Sequence, residues 1–346
     1  LAMQCMIGFT IIDIVVLPSA AWLNPSTLGI IHGIIATAIL KAIIVIGYIY
    51  LNYLNKSSTG NTYYKNQLSY GIPVGLTAMI YVINVNIDKY LVAMFFSTSV
   101  FGVYYLGSLW APIFGWFTQS AGQVITPRLS KAHKDNNLDV MRDLYSKSIE
   151  KLAFLFFPLT IFLLIMAEPL IITLFTEKYE GAVSIFTIYM ILLPTYSFRI
   201  GWILMASGQT KFLLRLTLAM STINVLLSYY LITSLEGDNR LLGIPFATVF
   251  VTWLSTIAIM YQSIRTLESK FVDLYPWKRI MSIIILSLLS GIPVFALTTV
   301  NISHLVLLIV GSLVYGIIFL YSTFKFDLWG ETEINLFNSF WSLKNR

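Results

Sequence analysis

The sequence predicts an all-α, polytopic membrane helix bundle of about ten transmembrane helices, and three observations carry that prediction. Apolar and aromatic residues make up 57% of the 346 positions and charged residues only 11%, against about 25% charged in soluble domains. Apolar runs long enough to span a bilayer recur along the whole chain. The basic residues fall between those runs in a sided pattern. Mean hydropathy is +0.79, which leaves too little polar material for a water-facing shell.

A spanning helix needs about 20 mainly apolar residues. Breaks at charge, Pro, Gly and Asn clusters define ten candidates, at about 3–22, 28–53, 67–96, 100–127, 149–176, 182–207, 211–235, 241–265, 279–300 and 304–323. The third, fourth and fifth exceed the hydrocarbon thickness and should tilt or project. Of the 22 Lys and Arg, three (Lys41, Lys89 and Arg199) fall well inside these segments, away from their ends. Two more, Lys178 and Arg240, lie on one side, and the remaining seventeen occupy the alternate loops. Under the positive-inside rule this places the start of the first helix and the C-terminus in the cytoplasm.

The net charge of +6 would suggest nucleic acid in a soluble protein, but its sidedness points to lipid instead. Cys5 is the only cysteine, so no internal disulfide or thiolate cluster can form. His32, His133 and His304 lack metal-ligand spacing, and no catalytic signature is present. The chain opens at Leu1 with an apolar run rather than with Met, as a fragment lacking upstream sequence would. Residues 55–66 are polar and linker-like. Residues 128–148 read either as a short amphipathic helix on the anionic leaflet or as a plain basic loop.

Ionisable side chains inside a membrane cost roughly 2.5–3.5 kcal/mol each on insertion scales and should face a cavity or a partner. Asp88 closes the series Thr77, Tyr81, Asn84, Asp88, whose 4-3-4 spacing puts all four on one helix face. That stripe fits either a hydrophilic lumen or interhelical hydrogen bonding. Thr217, Ser221, Asn224 and Ser228 repeat the spacing, and Gln119, Gln123 and Thr126 offer a shorter version. Arg199 suits a phosphate or carboxylate on a substrate, or equally a structural ion pair. Lys89 can snorkel outward or pair near Asp88. Asp13 and Lys41 lie near mid-membrane on neighbouring helices, as a buried pair or as part of a proton or ion path. Prolines 18, 73, 112, 158, 169, 194, 245 and 293 fall within the helices, a frequent feature of transporters.

Several segments together resemble a known family. Tyr70-Gly71-Ile72-Pro73, Asn86-Ile87-Asp88-Lys89-Tyr90-Leu91 and Ser97-Thr98-Ser99-Val100-Phe101-Gly102-Val103-Tyr104 look like the start of the second lobe in polysaccharide and oligosaccharide flippases. These belong to the multidrug/oligosaccharidyl-lipid/polysaccharide exporter superfamily. Thr126-Pro127-Arg128-Leu129-Ser130 and Ala167-Glu168-Pro169-Leu170-Ile171 through Phe175, with Lys178, Tyr179 and Ala182, resemble later motifs of the same family. Thr176 stands where Gly is usual. The resemblance covers roughly residues 67–265 well and the flanks loosely.

The resemblance implies a two-lobe, fourteen-helix exporter fold with four helices upstream of Leu1. Residues 1–54 would end the first lobe, 55–66 form a cytoplasmic linker, 67–266 form the second six-helix lobe, and 267–346 supply two extra helices and a tail. It also implies a transporter rather than an enzyme, in the inner (cytoplasmic) membrane. The substrate would be an undecaprenyl-diphosphate-linked oligosaccharide, an O-antigen or capsule/exopolysaccharide repeat unit. An H⁺ or Na⁺ gradient would drive it, without a bound cofactor, and other polysaccharide-assembly proteins are further candidate partners. Asp88 and Lys89 carry over from the matching motif. The pathway candidates are thus Asp88, Asn84, Lys89, Arg199, Asn224, Gln123, Lys41 and Asp13. A drug or organic-cation exporter of the same superfamily, or a membrane glycan-assembly enzyme, are the alternatives.

Overall fold

The structure is a computed structural model that describes residues 2–49, 61–109, 111–237, 239–300 and 302–329. Those residues are helical apart from short turns and connections, with no strand among them. They divide into two compact units, Leu1–Gln67 and Leu68–Arg346. Residues 55–60 of the 55–66 segment lie outside the described residues, as does the tail beyond 329, while 61–66 begin the third helix.

The first unit holds α1 (Ala2–Leu23) and α2 (Thr27–Ile49). Ser26 starts α2 as an N-cap: its hydroxyl accepts from the Gly29 amide at 3.1 Å, satisfying a first-turn donor that has no helical partner. Gly33 sits so close to Ala20 that an added Cβ would lie 2.6 Å from the alanine's own. Further along, Lys41 meets Asp13. Contacts 33 to 20 and 41 to 13 run in opposite directions, so α1 and α2 form an antiparallel hairpin.

α3 (Asn61–Phe95) leads into the second unit. It is followed by α4 (Thr98–Ser108), α5 (Ala111–Lys134), α6 (Leu138–Ile165) and α7 (Ala167–Phe175). The chain continues through α8 (Ala182–Met190), α9 (Thr195–Phe198), α10 (Trp202–Ala206), α11 (Thr210–Ser234) and α12 (Asn239–Thr266). A single turn, α13 (Phe271–Leu274), precedes α14 (Trp277–Thr298) and α15 (His304–Lys325).

Among the described residues, seven helices are long and apolar enough to cross a membrane: 28–48, 138–165, 182–206, 210–234, 239–266, 277–298 and 304–325. They overlap the second and the fifth to tenth segments expected from the sequence, but the fifth is displaced: its helix runs from Leu138 to Ile165 rather than over about 149–176, and α7 makes up the remainder. The first and third segments contain shorter apolar stretches, Gly8–Leu23 and Ser69–Ile80. The fourth segment is not one helix. It divides between α4 and α5, where Pro112 lacks an N–H and disfavours helical geometry in the residue before it. The sixth likewise breaks around Pro194 and again at Arg199–Gly201, giving α8, α9 and α10.

No separate surface helix forms over 128–148. α5 runs on to Lys134 and α6 starts at Leu138, so both helices extend through this stretch. Two asparagines make the turn. Asn136 takes the left-handed conformation at φ 51°, which Asn tolerates better than most side chains. Asn137 caps α6, its side-chain oxygen accepting from the Val140 amide at 3.1 Å.

The α5–α6 and α12–α14 connections meet at one end of the second unit. The Arg142 guanidinium donates to the Leu267 carbonyl at 2.9 Å and the Glu268 carbonyl at 3.0 Å. Arg279 pairs with Glu150 beside them. Four spanning segments between the two connections return the chain to the same side. α15 packs on α6 and α14, where the Tyr315 hydroxyl donates to the carbonyls of Pro158 (2.9 Å) and Ser287 (3.3 Å).

Candidate functional site

Asp88 lies within the second unit, buried rather than facing an open lumen, with 4% of its surface exposed. The polar stripe on α3 therefore turns into the helix packing at this level. Two hydroxyls converge on one carboxylate oxygen. Tyr189 of α8 donates to Oδ2 at 2.7 Å, and Thr248 of α12 donates to the same atom at 2.7 Å.

The network extends in both directions. The Tyr104 hydroxyl of α4 lies 2.7 Å from that of Tyr189. Because Tyr189 spends its single proton on Asp88, Tyr104 is the donor of that pair. On the other side the Asn224 amide of α11 donates to the Thr248 hydroxyl at 3.1 Å, and Ser228 donates to the Asn224 oxygen at 3.4 Å. Five helices thus share one chain of polar groups: α4, α8, α3, α12 and α11. Tyr104, Asn224 and Ser228 are as buried as Asp88.

The other carboxylate oxygen, Oδ1, is buried and has no hydrogen-bond partner among the described residues. A buried acceptor left unpaired costs roughly 1–3 kcal/mol. Asp88 is therefore one group short of full satisfaction, which suits a carboxyl that takes up a proton or a cation.

The remaining candidates are placed differently. Lys89, one residue on, is near Asp88 but forms no close ion pair with it. Its ammonium lies 5.1 Å from the centre of the Tyr105 ring and 3.5 Å from the Asn86 side-chain oxygen. Arg199 caps the C-terminus of α9 at the break before α10, half-buried and with no ion pair among the described residues. Gln123 is exposed on α5 and joins no part of the network. Asn84 lies on α3, and its side chain is outside what the structure describes. Asp13 and Lys41 pair at 2.6 Å within the first unit, with side-chain exposures of 38% and 25%, so the pair is only partly buried. No group of His, Cys, Asp and Glu among the described residues could hold a metal in the usual way.

Sequence patterning found Asp88 and Asn224 but not Tyr104, Tyr189 or Thr248. Both tyrosines read as ordinary aromatics in apolar helices, whereas Thr248, Thr252 and Ser255 carry a 4-3 polar spacing that could have marked Thr248. Tyr104 was within reach, because it closes the Ser97–Tyr104 motif.

The described residues make an all-helical protein with helices able to cross a membrane several times and a hydrogen-bonded carboxylate buried among them. The comparison with known families narrows this. The family described as polysaccharide biosynthesis protein matches residues 2–184, more than half of the chain, and the chain belongs to that flippase-type family. No curated protein matches it.

Proposed function

We propose that the protein is a flippase. It moves an undecaprenyl-diphosphate-linked oligosaccharide, an O-antigen or capsule/exopolysaccharide repeat unit, from the cytoplasmic to the outer leaflet of the inner membrane. Family membership supports the polysaccharide connection, and the seven membrane-length helices support a multi-pass transporter. The fold is a two-lobe bundle of fourteen helices, of which this chain carries about ten. Residues 1–54 end the first lobe, 67–266 form the second, and 267–346 add two helices and a cytoplasmic tail.

Alternating access is driven by an H⁺ or Na⁺ gradient acting at Asp88, and the single observation that carries this is the half-satisfied carboxylate. Charging or neutralising Asp88 changes the strength of its bonds to Tyr189 and Thr248, because hydrogen bonds to an ionised group are roughly twice as strong. Those bonds connect α3 to α8 and α12, so ion binding can bias how these helices pack. Arg199, at a break in the sixth segment, offers a cation to the diphosphate.

The test is reconstitution of the protein in vesicles with a fluorescent lipid-linked oligosaccharide, scoring exposure in the outer leaflet with and without an ion gradient. A gain over empty vesicles that needs the gradient is expected, with loss of transport but normal expression for Asp88→Asn. Exposure no greater than in empty vesicles removes the transport assignment, and wild-type rates in Asp88→Asn return that residue to a purely structural role.

A further inference from the structure

The other feature that the transport site does not use is an apolar pocket of ≈ 480 Å³ between α12 and α14, floored by α6 and α9. Its size falls within the range of small-molecule sites, about 300–1,000 Å³, yet apolar and aromatic side chains make up its whole lining. Both indole N–H groups of the lining are engaged by backbone carbonyls, which leaves the Tyr261 hydroxyl as its one side-chain group for a sugar.

The walls are held in place by their own polar atoms. The Trp253 indole donates to the Ile191 carbonyl at 3.2 Å, an acceptor left over where the sixth segment breaks. The Trp277 indole donates to the Phe271 carbonyl at 3.3 Å, and its ring stacks on Phe198 with centroids 5.9 Å apart. The pocket is open along one edge, where Ile257, Tyr261 and Phe271 are 58%, 62% and 46% exposed.

The rim of that edge is basic. The Arg265 guanidinium lies 5.9 Å from the centre of the Tyr261 ring. Lys270 directly precedes Phe271, and Lys278 directly follows Trp277. All three are exposed, and none has a carboxylate partner among the described residues, whereas Arg279 and Arg142 next to them are paired. Glu268 and Asp273 share the segment and leave the cations in excess.

We infer that this pocket seats an acyl chain of an anionic phospholipid, with the phosphate of its headgroup against Arg265, Lys270 and Lys278. A sideways-opening apolar slot with a cationic rim at one end matches an amphiphile lying along the bundle, and basic pockets between membrane helices select anionic headgroups. A zwitterionic lipid would bring a compensating ammonium to the same rim. The bound lipid would wedge α12 against α14, joining the last two spanning helices to the rest of the unit. The inference does not depend on the transport assignment.

The experiment uses the delipidated full chain in neutral detergent, with bound lipid counted by native mass spectrometry and stability followed by thermal melting. Phosphatidylglycerol, phosphatidylcholine with the same chains, and a polyprenyl phosphate are added separately and in competition. Phosphatidylglycerol is expected to bind and raise the melting temperature, and phosphatidylcholine to do neither. The triple variant Arg265→Gln/Lys270→Gln/Lys278→Gln should bind phosphatidylglycerol about a hundredfold more weakly while melting like the wild type without lipid. Ile257→Trp, which fills the slot from an exposed position, should also lose binding. Equal binding of phosphatidylcholine overturns the inference, as does undiminished binding by both variants. Displacement of phosphatidylglycerol by equimolar polyprenyl phosphate overturns it too, in favour of an isoprenoid site.

Discussion

The Thr248 hydroxyl donates to Asp88 Oδ2 at 2.7 Å, joining α12 to α3 across 160 residues of sequence. The same hydroxyl accepts from Asn224, so it relays between the carboxylate and α11. Thr248→Val keeps the shape and deletes the relay, leaving both neighbours short of a partner. A loss of about 1–3 kcal/mol is expected, read as a lower melting temperature in detergent. Thr248→Ser should stay close to wild type, because it restores the hydroxyl; equal losses in Ser and Val would show that the methyl group matters instead.

Gly107 lets α4 approach α8 closely. A Cβ there would lie 2.8 Å from the Ala182 carbonyl and 2.8 Å from Ile185 Cβ, neither of which is a flexible side-chain end. Small residues at membrane helix crossings serve this purpose. Gly107→Ala should cost about 1–3 kcal/mol through overpacking. It should also lengthen the Tyr104–Tyr189 hydrogen bond, since those residues sit on the same two helices. Thermal melting measures the first effect and a high-resolution structure of the variant the second.

Thr176 has φ 72° and ψ 164°, a backbone region populated almost only by glycine. Glycine adopts this conformation without the steric cost of a Cβ. Thr176→Gly should therefore stabilise the protein by up to about 1–3 kcal/mol, a rare case of a glycine substitution that raises the melting temperature. An unchanged or lower value would show that the threonine side chain contributes more than the strain removes.

Asp13 and Lys41 form a partly buried pair inside the first unit. Removing one partner leaves an uncompensated charge facing apolar surroundings, whereas removing both does not. Asp13→Leu and Lys41→Leu should each lower stability by on the order of 1 kcal/mol. The double variant should recover most of that loss. Additive losses in a double-mutant cycle would show that the two side chains act independently.

Much of this architecture was legible in the sequence because a lipid environment imposes simple rules. Apolar length located the seven stretches able to cross a membrane, and the 4-3-4 spacing singled out Asp88 and Asn224. What stayed hidden depends on chain crossings. Tyr189 and Thr248 are 101 and 160 residues from Asp88, and nothing local marks either as its donor. The helix breaks were signalled by Pro112 and Pro194, but proline alone does not distinguish a kink from an end: Pro158 and Pro245 remain inside unbroken helices. Gln123 is exposed and stands apart from the Asp88 network, since helical spacing identifies a face but not what that face meets.

α6 spans 28 residues, about 42 Å at 1.5 Å per residue, against a hydrocarbon thickness of about 30 Å. Its first half carries Arg142 and Glu150, and there the ends of α12 and α14 are fastened by the Arg142 carbonyl bonds and the Arg279–Glu150 pair. The helix is consequently a lever arm with its attachments spread over its first half. A small change in its tilt within the bilayer becomes a larger sideways displacement at those fastenings, delivered to α12 and α14 together.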